Sequence, residues 1–186
     1  MNENIIKFIN ETLNKIYKGK QYPSESDFLI NKEKIEEIVN CLENKGINTF
    51  LLNCNDCIYN YTIIINCTSE IKDIFLKNPK GRKRWIKKNK DKASIIYLSI
   101  SKLGPFAIIY ETYYSYKFLF EFSLVKYDVK DNRIIKKIAA VMDAYGIYLL
   151  KEDILNLRFN FKFEGKIIGY EAHPKVQTLL FAEELH

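Results

Sequence analysis

Two groups of residues in this sequence have the types and spacing to do chemistry: a cationic run in the middle and four cysteines ahead of it. From Lys77 to Lys92 stand nine basic residues, Lys77, Lys80, Arg82, Lys83, Arg84, Lys87, Lys88, Lys90 and Lys92, against the single acid Asp91. The run carries +8 while the whole chain carries +6, so the remainder is slightly acidic. Such a cluster sets up a local positive field that draws phosphate backbones, anionic lipid or an acidic protein face. Trp85, the only tryptophan, lies inside the run and offers a flat face on which a nucleic-acid base can stack. The same stretch also reads as a solvated lysine-rich loop that Trp85 and Ile86 pin to the core. The usual signatures of nucleic-acid recognition are missing: no ribonucleoprotein aromatic motif, no GxxG loop, no finger spacing.

The cysteines are Cys41, Cys54, Cys57 and Cys67. Cys54-Asn-Asp-Cys57 is a CxxC, which can give two thiolates to a tetrahedral zinc. There is no second close pair; Cys41 and Cys67 are isolated, and His173 and His186 lie more than a hundred residues further on. A thioredoxin-like role needs a helix N-terminus to lower a thiol pKa, but here Cys54 closes one predicted strand and Cys57 opens the next. The expectation is small buried or turn residues in a reducing cytosol, with no metal and no cofactor. His173 stands near Glu171, a pairing usable for general-base chemistry, yet GxSxG, HExxH and the P-loop are all absent. Glu111, Glu121 and Glu164 remain as carboxylates for acid-base work, and Glu121 interrupts the apolar run Phe118–Val125. No catalytic motif is found, and the chain is not expected to be an enzyme.

The composition sets the frame for these residues. The 186 residues are 47% hydrophobic, 28% charged and 14% aromatic, with seven Gly and four Pro, which excludes disorder and low-complexity character. One domain over residues 1–186 is the default at this length, and no repeat or Gly/Ser linker divides it. No run reaches ~18 apolar residues, so no membrane insertion is expected. The first residues lack a basic region, so a secretory signal is not expected and the reading is cytoplasmic.

Helical spacing runs over residues 2–17 and again from about Lys32 to Lys45, with Asn31 as N-cap and Gly46 as terminator. The period then shortens. Thr49–Cys54 and Cys57–Ile65 read as strands joined by a tight turn at Asn55-Asp56. Residues 69–77 read as a short helix capped by Thr68 or Ser69. Ser94–Lys102, Phe106–Tyr114 and Tyr116–Tyr127 are strand-like, divided at Gly104-Pro105 and near Ser115. A third long helix covers roughly 131–144, with Asp131 as cap and Gly146 as terminator. Leu157, Phe159, Phe161 and Phe163 alternate with polar residues, and Val176–Phe181 reads as a closing strand. Without strand-helix alternation, the fold class is α+β: a mostly antiparallel sheet packed with about three main helices.

Three segments carry a family resemblance: Leu98–Tyr110 (LSISKLGPFAIIY), Tyr145-Gly-Ile-Tyr-Leu-Leu-Lys-Glu-Asp-Ile-Leu, and Val176-Gln-Thr-Leu-Leu-Phe. Over roughly residues 94–182 the chain resembles small bacterial immunity proteins of polymorphic or contact-dependent toxin systems. In these, a Gly-Pro turn between strands, a Tyr-Gly-…-Leu-x-x-Glu helix entry and a terminal hydrophobic-Leu-Phe strand recur. The resemblance implies a non-enzymatic inhibitor that binds one cognate toxin domain and blocks its active site. It carries over no functional residue. Immunity proteins against nucleases are often acidic, and this chain is basic. That points away from a nuclease partner, or to contact through the slightly acidic remainder.

A tight inhibitor needs a central patch of aromatic or Arg anchors within a polar rim. Two patches qualify as partner-binding candidates: Arg82, Lys83, Arg84, Trp85, Lys87 and Lys88 in the basic run, and Tyr113, Tyr114 and Tyr116, beside Tyr110, near strand ends. The tyrosines equally suit sheet packing with hydroxyls at the surface. The alternative function is a nucleic-acid-binding accessory protein using residues 77–92.

Overall fold

The computed structural model describes residues 2–17, 23–52, 59–77, 79–89, 93–117, 120–158 and 174–181. In chain order they form α1 (Asn2–Tyr17), a 3-10 turn (Glu25–Asp27), α2 (Lys32–Asn44), β1 (Thr49–Leu51), β2 (Asn60–Ile65), α3 (Ser69–Lys77), α4 (Pro79–Asn89), β3 (Ser94–Ser101), β4 (Phe106–Lys117), β5 (Phe120–Lys126), α5 (Asn132–Ala144), β6 (Tyr148–Leu149), α6 (Glu152–Leu155) and α7 (Val176–Phe181). The fold is α+β. The sheet runs β1-β2-β3-β4-β5 with every neighbour antiparallel, and β6 adds a short parallel pairing, Phe106 opposite Tyr148, at the start of β4.

Local signals account for the helix ends. The Asn31 side chain accepts from the Lys34 N–H at 3.0 Å, and that of Asp131 accepts from the Arg133 and Ile134 N–H groups at 3.1 Å. Thr68 Oγ1 accepts from the Ile71 N–H at 3.2 Å. Gly46 and Gly146 follow α2 and α5 with φ of +75° and +67°, the left-handed conformation that a side chain resists.

The strand period of two divides the core. Ile63, Ile65, Leu98, Ile100 and Ala107 face α2 and α5, meeting Ile35, Ile38, Leu42, Ile138, Val141 and Met142. On the other face Ile64, Ile95, Tyr97 and Tyr114 meet α3 and α4 through Ile71, Trp85 and Ile86. Further along that second face, Phe106 and Ile108 meet α1, α6 and α7. The last carbonyls of α7 find side-chain donors: Tyr17 Oη to Leu179 at 2.7 Å, Ser101 Oγ to Leu180 at 2.8 Å and Asn60 Nδ2 to Phe181 at 3.4 Å. Asn60 Oδ1 is buried with no hydrogen-bond partner among the described residues.

Three expectations are corrected. Val176–Phe181 is a helix, not a closing strand; Val176, Leu179 and Leu180 stand at i, i+3 and i+4 and are all buried. Residues 79–89 of the basic run are α4, not a loop: Lys and Arg are good helix formers, and Pro79 suits a first helical position. The turn expected at Asn55-Asp56 lies outside the described residues, and the strands on either side of it set Leu51 opposite Ile63. The division near Ser115 falls later, since β4 runs through Lys117. Cys54, Cys57, Glu164, Glu171, His173, His186, Lys90, Asp91, Lys92 and the strand reading over 159–163 lie outside the described residues. No helix among the described residues is long and apolar enough to cross a membrane.

Candidate protein interface at the sheet edge and the basic helix

Parts of the two candidate patches, separate in sequence, are brought together: Arg82 and Lys83 with Tyr114 and Tyr116. α4 lies across the β4 side of the sheet and buries Trp85 and Ile86, which leaves its cations around the rim. The Arg82 guanidinium sits 4.7 Å from the centre of the Tyr114 ring and bonds Glu121 Oε1 at 2.6 Å. Lys83 Nζ lies 5.4 Å from the Tyr116 ring centre, and Tyr116 Oη donates to Glu121 Oε2 at 3.3 Å. Arg84, Lys87 and Lys88 are exposed, and Lys88 bonds Glu70 of α3 at 3.3 Å. Glu121, which interrupts an apolar strand, is thus the β5 anchor for the basic helix.

Trp85 and Tyr114 are 8% and 7% exposed, with their rings 6.5 Å apart edge to face. They hold the surface together from beneath, and the indole is not presented for stacking on a base. Tyr114 Oη pairs with buried Tyr97 Oη at 2.7 Å, and burial pushes both phenols above their ordinary pKa. Tyr113 points to the opposite face. It donates to Glu111 Oε2 at 2.7 Å, and that bond raises its pKa. Lys126 Nζ rests 4.9 Å from its ring centre.

A groove of about 470 Å³ opens between α3 and α4, lined by Glu70, Asp73, Ile74, Arg84, Trp85 and Lys88. Its walls carry both signs of charge, so it is not a cationic cradle for phosphate.

The more informative surface is β5. Phe122, Leu124 and Val125 are 50%, 58% and 45% exposed, although the strand is paired along its whole length with β4. Phe122 and Leu124 share a face with Tyr113, beyond the reach of α2 and α5. The main-chain directions follow from one bond: the Tyr114 N–H donates to Ala93 at 2.7 Å, toward β3. Tyr114 therefore makes a non-hydrogen-bonded pair with Ser123, and by alternation so do Tyr116 with Glu121 and Thr112 with Val125. The N–H and C=O groups of Glu121, Ser123 and Val125 point away from β4, and no described strand lies beyond β5. This is an edge with apolar side chains and outward main-chain donors and acceptors, the condition for adding a strand.

Among the described residues no three His, Cys, Asp or Glu side chains gather as a metal site. Cys41 and Cys67 are free thiols, and burial raises the pKa of Cys67, opposed by Lys72, the reverse of an activated thiolate. Glu111 and Glu121 are engaged by Tyr113 and by Arg82 with Tyr116. The chain matches no protein-family model, no curated protein and no solved structure.

Sequence reasoning missed Phe122, Leu124 and Val125. Their signal is faint: apolar residues at 122 and 124 look the same whether or not a helix covers them.

Proposed function

We propose that this chain is a non-enzymatic protein-binding module that takes its partner along the β5 edge, with α4 as a charged rim. The observation that carries the reading is the exposure of Phe122, Leu124 and Val125 on a strand whose alternate main-chain groups point outward. Edge strands are commonly protected by charge, proline or a covering element, and a bare apolar one marks a docking site. The finer reading is an immunity-type inhibitor of a bacterial toxin domain, acting in the cytoplasm. Its support is the cadence of residues 94–182, although the helical Val176–Phe181 departs from the terminal strand that the resemblance implies.

The test is affinity capture from source-cell lysate, with and without nuclease, using the wild-type chain, Leu124→Lys and a Lys87→Glu/Lys88→Glu variant. The expected result is one stoichiometric protein that survives nuclease, is lost with Leu124→Lys and is kept by the α4 variant. The purified partner should be a toxin whose activity stops at equimolar inhibitor. Capture indifferent to Leu124→Lys sinks the β5 assignment. The exposed Arg84, Lys87 and Lys88 support a second reading, nucleic-acid contact. In that case capture disappears with nuclease and with the α4 variant, and affinity falls steeply with salt.

A further inference from the structure

We draw no further inference here: the strongest candidate, the mixed-charge groove between α3 and α4 beside Trp85, has walls of opposite sign that already bond each other through Glu70 and Lys88, and nothing in the structure shows what covers it.

Discussion

The two ends of this sheet use the same alternation to opposite effect. At the β1–β3 end, Ile63, Ile65, Leu98 and Ile100 meet the stripes of α2 and α5 and are almost wholly buried. At the β5 end, Phe122 and Leu124 continue the same face, and there the layer of described helices stops. The difference lies in coverage, because the residue types are equivalent. Two α-helices about 10 Å wide cover roughly four strands at 4.8 Å spacing, so the far edge of a longer sheet stays bare unless something else caps it. The opposite face is covered by α4 as far as β4, through Trp85 and Ile86, while the cations of the helix stay outside and Val125 of β5 remains 45% exposed. The β5 end is thus apolar on one face, flanked by cations on the other and, among the described residues, unpaired along its edge.

The widest gap between the two ends should appear in stability. Leu98 is fully buried and Leu124 is 58% exposed. Leu98→Ala should cost about 3 kcal/mol through lost burial and the cavity left behind. Leu124→Ala should stay within ~0.5 kcal/mol, as surface substitutions do. Urea unfolding of the two variants measures both. A large loss at Leu124 would mean that β5 is a structural element of the core, and the contrast between the ends would collapse.

Local chemistry made much of this fold legible. Asn31, Thr68 and Asp131 announce helix starts, and Gly46 and Gly146 announce ends, because a cap involves only residues a few positions apart. The runs in β3 and β4 are legible for the same reason. α4 was hidden because only Trp85 and Ile86 are apolar in its second half, too few to display a period of 3.6 beneath so many cations. α7 was hidden by its shortness, since six residues rich in apolar side chains fit either period. The exposure of β5 was illegible in principle: whether Phe122 and Leu124 are covered depends on where α2 and α5 pack, which no window around them contains. The meeting of Arg82 with Tyr114 and Glu121 is of the same long-range kind.

The face under α4 gives an intermediate effect, one that depends on pH. Burial holds the Tyr97 and Tyr114 phenols protonated above the ordinary value of 10.0. Below pH 10 the folded and unfolded states bind the same protons at these sites. Above it the unfolded chain releases them while the folded chain keeps them, so stability falls as pH rises past 10. Tyr97→Phe should lower stability by about 1 kcal/mol at pH 8, through loss of the hydrogen bond to Tyr114. It should also flatten the decline between pH 10 and 11 relative to wild type. Parallel curves would show that the buried pair does not set the alkaline limit.

The smallest expected effect asks how α4 is held against β5. The Arg82–Glu121 pair is partly open to solvent, its side chains 35% and 27% exposed, and such pairs contribute about 0.5 kcal/mol once water and salt screen them. A double-mutant cycle with Arg82→Met and Glu121→Gln should return a coupling of that order, and ~1 M salt should reduce it further. Trp85 and Ile86 then remain the principal attachment of the helix. A coupling near zero would make the basic face dispensable to the fold. Its cations would then serve only what lies outside the molecule, and losing them should alter a partner's association rate more than it alters the stability of this chain.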